Sequence, residues 1–172
     1  MSTVKKRSQK QEKSVAKDFN AKPTVASGAL WGMKGDVRNS KFLIECKTTS
    51  KDYFNITTKL WEKIKTEATR DRMRIPLMVI DLEDSDRLVV FNPHDFETEL
   101  PTPYDCTYDE NRDGKQSYRI SIKELDNIAK EFDEPYIYGK LFIIKGTVKN
   151  NMLFFMRMKD FTKHFAEELA LF

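Results

Sequence analysis

Histidine, cysteine and glycine are all scarce in this chain, and each shortage removes a class of chemistry. The two histidines, His94 and His164, have no serine or cysteine at a spacing that would pair a nucleophile with a base. Triad or histidine-driven acid–base catalysis is therefore not expected. The two cysteines, Cys46 and Cys106, form no C-x-x-C pair, so neither a zinc site nor a disulfide framework is suggested. The six glycines spell neither a P-loop nor a dinucleotide fingerprint. No apolar run approaches the roughly 20 residues of a membrane span, and the polar N-terminus does not read as a signal peptide. No membrane partner is expected, and the expected setting is the cytoplasm.

Net charge is small as well, at +3, but it is unevenly spread. Residues 1 to 80 hold 18 Lys and Arg against 8 Asp and Glu, whereas the remainder holds 12 against 19. A basic half favours a polyanion such as nucleic acid, because neutralising phosphates releases counterions. A solvated charged face is the plainer alternative. At 172 residues and 40% hydrophobic content the chain fits one globular domain over 1–172, divided into a basic arm (1–7), a core (8–100) and a C-terminal extension (101–172).

The stretch from Gly35 to Thr49 reads as a β-hairpin turning at Asn39-Ser40. With that turn, position 36 lies opposite 43, Asp36 is a diagonal neighbour of Glu45, and Lys34 sits across from Glu45. Strand alternation puts Glu45 and Lys47 on one face and Cys46 on the other. Two carboxylates held close repel unless a cation or shared proton separates them. Hard oxygen ligands suit Mg²⁺ or Mn²⁺, and an adjacent lysine suits an anionic substrate and an attacking water. The plainer reading is an exposed hairpin with cross-strand charges.

The flanking segments add to the set. A helix is predicted from Ser8 to Phe19, with Val15, Ala16 and Phe19 inward, Lys10, Lys13 and Lys17 outward, and Glu12 at the edge of the buried face. Glu12 is either a surface residue or a third carboxylate. A short strand over 24–26 leads into a glycine-bearing loop in which Ser27 and Lys34 can meet a phosphate, with Trp31 a core plug or a base-stacking platform. Residues 56–72 read as an amphipathic helix capped at Thr57 or Thr58, presenting Lys59, Lys63 and Lys65, with Arg70, Arg72 and Arg74 continuing the charge. These cations are either DNA backbone contacts or ordinary surface charge. A strand at 75–81, its hairpin partner at 87–91 and a short helix at 94–100 follow. Residues 101–116 read as a loop. Beyond it come a strand at 117–120, a helix from a capping box at Ser121 to Phe132, strands at 136–144 and 152–158 hinged at Asn150-Asn151, and a terminal helix over 159–171.

The ordered set Glu12, Ser27-Gly28, Gly35-Asp36 and Glu45-Cys46-Lys47-Thr48 resembles the PD-(D/E)xK nuclease superfamily. Within it the chain is similar to the archaeal-type Holliday junction resolvases and their phage-encoded relatives, over roughly residues 8 to 80. The resemblance implies an α/β fold of restriction-endonuclease type, a central mixed β-sheet flanked by helices, here with an extra C-terminal α+β segment. It also implies a homodimer that cuts opposed strands of a four-way DNA junction with Mg²⁺, for which Mn²⁺ can substitute, working in the host cytoplasm if virus-encoded. By position, Asp36, Glu45 and the Cys46 backbone carbonyl would hold the metal. Lys47 would orient or activate water, Glu12 would serve a second metal or its water, and Ser27 would contact the scissile phosphate. Lys10, Lys13, Lys34, Lys59, Lys63 and Thr48 would contact DNA. Gly35 stands where the superfamily name has proline. A same-fold nuclease acting on repair or restriction substrates, and a non-catalytic DNA-binding module, are the competing functions.

Overall fold

The strand Ile75–Asp81 (β5) organises the protein, as its nearly continuous apolar run predicts; its five central residues are buried. Phe42–Thr48 (β3) runs parallel to it in register Phe42↔Ile75 through Thr48↔Asp81, and Arg87–Phe91 (β6) lies antiparallel on its other side. The computed structural model describes residues 3–24, 35–83, 87–100, 116–131 and 137–170. Lys22–Pro23 (β1) and Val37–Arg38 (β2) extend the sheet beyond β3. Gly139–Ile144 (β8) and Asn151–Arg157 (β9) extend it beyond β6, giving the order β1-β2-β3-β5-β6-β9-β8. Tyr53–Thr57 (β4) and Ser117–Ser121 (β7) form a separate antiparallel pair.

Alternation along these strands makes two cores. Leu43, Met78, Ile80, Leu88 and Val90 face Trp61 and Ile64 of the helix Thr58–Arg70 (α2) and Leu125 and Ile128 of the helix Ile122–Lys130 (α3). Phe42, Ile44, Cys46, Leu77, Val79 and Phe91 face Val15, Ala16 and Phe19 at the end of the helix Thr3–Asp18 (α1), and Phe161 of the helix Met158–His164 (α4). The expected architecture, a mixed sheet with helices on both sides, is the one observed. The extra C-terminal segment does not stand apart: β8 and β9 continue the central sheet, and Phe154, Phe161 and Phe165 complete an aromatic cluster around Phe91.

Several boundaries differ from the sequence reading, each for a local reason. α1 begins at Thr3, so the arm expected over 1–7 is already helical there, and Ser8 bonds Glu12 one turn on instead of capping. Strand β4 was not expected; it precedes the helix because Thr57 is extended and its hydroxyl caps Leu60 N–H at 3.2 Å. A two-residue strand forms at Lys22–Pro23 and Thr24 lies past it; residues 25 and 26 of the strand expected over 24–26 are outside the described ones. The helix expected at 94–100 is one 3-10 turn, Pro93–Asp95, because Phe96 turns extended and buries itself among Phe42, Phe91 and Phe165. Asn151 is no hinge residue: it opens β9 opposite Ile144, and its amide donates to Glu62 at 2.8 Å. The terminal helix breaks at Phe165 into α4 and Ala166–Ala170 (α5). The loop at 101–115, including Cys106, lies outside the described residues.

Candidate active site

The hairpin turn lies one residue later than its sequence suggests. Asn39 N–H donates to the Phe42 carbonyl at 3.2 Å, and the Asn39 side-chain oxygen accepts from Lys41 N–H (2.9 Å) and Phe42 N–H (2.7 Å). Ser40 and Lys41 are therefore the loop, and Asn39 acts through its side chain as a turn former. Moving the turn by one residue moves the register by two. Arg38 pairs with Leu43 and Val37 with Ile44, correcting the expected 36 to 43 pairing.

The shift brings Asp36 closer to the Glu-x-Lys segment than expected. Asp36 N–H donates to the carbonyl of Ile44 at 3.0 Å, the residue that pairs with Val37, so two residues oppose one in a β-bulge. The bulge turns the Asp36 carboxylate along the edge of β3, where Oδ2 accepts the Cys46 N–H at 2.9 Å. Gly35 makes this possible: its φ is +74°, and a Cβ there would lie 2.8 Å from Leu43 Cγ.

Glu45 is only 6% exposed, and its Oε1 accepts the Lys47 ammonium at 2.6 Å. Burial works against the charge on Lys47, but that hydrogen bond and the charges of Glu45 and Asp36 outweigh it and raise its pKa. On α1, Glu12 accepts the Ser8 hydroxyl at 3.0 Å. Its pKa is raised, first by burial and further by the charges of Asp36 and Glu45, against the lowering effect of Ser8. The Cys46 thiol, buried in the core beneath α1, is pushed up chiefly by burial and then by the charges of Asp36 and Glu12. The structure thus brings Glu12, Asp36, Glu45 and Lys47 into one electrostatic neighbourhood at the end of β3.

The donor set consists of hard carboxylate oxygens in mutual repulsion, which suits a small divalent cation. Among the described residues, no group of three or more His, Cys, Asp or Glu side chains is gathered tightly enough to hold an ion. Protein donors engage the carboxylates instead: Lys47 on Glu45, Ser8 on Glu12 and Cys46 N–H on Asp36.

The other expected contacts divide. Lys10 and Lys13 are exposed on α1, the helix that bears Glu12. Thr48 gives its hydroxyl proton to Gln11 at 2.7 Å, so in this arrangement it braces α1 and does not donate to a phosphate. Lys59 and Lys63 line a depression of about 850 Å³ with Arg70, Gln116 and Lys145, and none of the four site residues lines it. Arg74 is not a free cation: it is 10% exposed at its side chain, pairs with Asp71, and donates to the Asn39 carbonyl at 2.6 Å. It holds the turn. Ser27, Trp31 and Lys34 lie outside the described residues. Sequence reasoning missed Gln11, a buried polar residue one turn before Val15 on the apolar stripe of α1, a placement legible in the periodicity.

No protein-family model matches the chain, and no curated protein matches it. Among solved structures the chain is similar to Hjc of Archaeoglobus fulgidus, a Holliday junction resolvase from an archaeal hyperthermophile. The identity is 16% and the TM-score 0.37, over 45% of this chain and 70% of that one. A likeness this slight carries no functional weight.

Proposed function

We propose that this protein is a metal-dependent DNA endonuclease that resolves four-way junctions by hydrolysing phosphodiester bonds in opposed strands, acting as a homodimer. The observation that supports it best is that Asp36 bonds the Cys46 N–H between Glu45 and Lys47, which pair with each other, while Glu12 on α1 is near enough to feel the charges of Asp36 and Glu45. Asp36, Glu45 and the Cys46 carbonyl would hold Mg²⁺ or Mn²⁺, and Glu12 a second ion or its water. The bound ion supplies charge neutralisation at the phosphate and a more acidic water.

The residues of the chain supply the rest. Lys47, kept charged by Glu45, would orient or activate the attacking water and stabilise charge developing on the phosphoryl oxygens. The bulge at Asp36 fixes a carboxylate beside it with little freedom to move. Lys10 and Lys13 position the DNA backbone along α1 without reading sequence. The basic half of the chain gives this contact its salt dependence.

The test uses labelled four-way junction, linear duplex and flap DNA, each with Mg²⁺ or EDTA. Paired symmetric nicks confined to the junction, lost in EDTA and in Lys47→Ala, are the expected result. Cutting of linear duplex would assign a different DNA substrate to the same chemistry, and binding without cutting would leave a DNA-binding module. Solution mass with and without junction DNA tests the dimer.

A further inference from the structure

Gln11 is an amide in an apolar place: it is 2% exposed, on the stripe that continues into Val15, Ala16 and Phe19. A buried carboxamide is costly unless its polar atoms are paired, and these are. Nε2 donates to the Lys47 carbonyl at 2.9 Å and to the Val79 carbonyl at 3.3 Å, while Oε1 accepts the Thr48 hydroxyl at 2.7 Å. Both donors and the acceptor are spent on neighbouring parallel strands, β3 and β5, in the segment where Cys46 pairs with Val79. A leucine or methionine would fill the same space without desolvating an amide, so packing alone does not explain a glutamine here.

Position decides what the bonds accomplish. Gln11 immediately precedes Glu12, and two of its three partners are Lys47 and Thr48. Among the described residues, the buried apolar side chains of α1 and of the residue after it are Val15, Ala16 and Phe19, beyond Glu12 on the C-terminal side, and such contacts are non-directional. Other polar ties of this helix, Arg7 to the Leu82 carbonyl at 3.5 Å and Ser14 (3.2 Å) and Asp18 (3.1 Å) to Arg87, come from its solvent-facing side. We propose that Gln11 is the positioning residue of the site, a clamp that sets the placement of Glu12 relative to Glu45 and Lys47. The proposal rests on the reading of these residues as a metal-dependent nuclease site. Gln11 touches neither substrate nor metal; it acts through the backbone of Lys47 and through the helix that carries Glu12.

Gln11→Met keeps length and volume and removes all three hydrogen bonds. Three quantities are compared with the wild type: Mn²⁺ affinity by electron paramagnetic resonance, the single-turnover cleavage rate at saturating junction DNA, and junction affinity without divalent metal. Loss of a group that orients metal-binding side chains costs about 10–100-fold, and that is the expected fall in both Mn²⁺ affinity and rate, with DNA affinity unchanged. Ile128→Val, in the opposite core, lowers stability slightly and leaves both quantities at wild-type values, which separates positioning from general destabilisation. Should Gln11→Met fail to fold, Thr48→Val removes one bond of the three and is expected to weaken Mn²⁺ binding severalfold. Wild-type Mn²⁺ affinity in the folded variant would overturn the clamp. A wild-type protein that binds Mn²⁺ but cuts no DNA would sink the nuclease reading alone, since the Mn²⁺ comparison still decides the clamp.

Discussion

Glu12→Gln should stabilise the metal-free protein while impairing it as a nuclease. Glutamine keeps the side-chain oxygen that accepts the Ser8 hydroxyl at 3.0 Å, so the local bond survives. What disappears is a partly buried negative charge that feels Asp36 and Glu45. Near-surface charge pairs are worth about 0.2–1 kcal/mol each, so relief of two repulsions and part of a burial cost comes to about 1 kcal/mol. For a chain of this size that is about 2–4 °C in Tm. The pH dependence follows from the raised pKa. An acid whose folded pKa lies above its unfolded value costs stability when ionised. The cost is absent below the ordinary carboxylate pKa, grows as pH rises through it, and is complete above the raised folded value. Thermal unfolding in EDTA should show the variant ahead of wild type at pH 7.5 and level with it below pH about 4. Added Mg²⁺ should stabilise the wild type more and narrow the gap at pH 7.5. A variant less stable than wild type at pH 7.5 in EDTA would refute the electrostatic account of this site.

Other outcomes follow from the same geometry. Asp36→Asn retains an oxygen for the Cys46 N–H and should fold normally, yet cut junction DNA at least about 100-fold more slowly while gel-shift affinity stays near wild type. Cys46 should resist iodoacetamide at pH 8 in the native protein and react in urea, because burial and the surrounding carboxylates disfavour its thiolate; peptide mass mapping reads this directly. Glu168→Ala should cost about 2–3 kcal/mol in urea titration, since the 7% exposed carboxylate accepts Thr98 N–H at 2.7 Å and pairs with Lys41 at 3.2 Å in the hairpin loop. Gly139→Ala should cost about 2 kcal/mol, because its Cβ would lie 2.1 Å from Phe154 Cε1 inside the aromatic cluster, and an unchanged midpoint would show that the cluster yields.

The central strands were legible because their signals are strong and local. The run Ile75 to Ile80 has no polar interruption, and Phe42 to Cys46 alternates between two cores as its pattern requires. Capping residues announced the starts of α2 and α3: Thr57 and Ser121 each accept a backbone N–H three residues on. The errors arose where tertiary contacts overrode local preference. Asn39-Ser40 is a good turn dipeptide, but Asn39 also donates to the Phe19 carbonyl at 3.0 Å and its own carbonyl accepts Arg74, which fix it as a strand end. Strand β4 went unseen because its partner β7 lies some sixty residues away, beyond the reach of periodicity. The pattern Asp-x8-Glu-x-Lys picked out Asp36, Glu45 and Lys47, and helix position picked out Glu12, the four side chains that the structure brings near one another. The bulge that aims Asp36 at Cys46 N–H depends on a hairpin register that the distant partners Phe19 and Arg74 set through Asn39, and residue types in the hairpin alone do not encode it.

The most direct test of the account is an anomalous difference map from crystals of the wild-type protein soaked in MnCl₂. A peak bounded by Asp36, Glu45 and the Cys46 carbonyl, with Lys47 swung clear of one Glu45 oxygen, is the predicted result. Manganese bound only elsewhere, in a protein that cuts DNA, would contradict it.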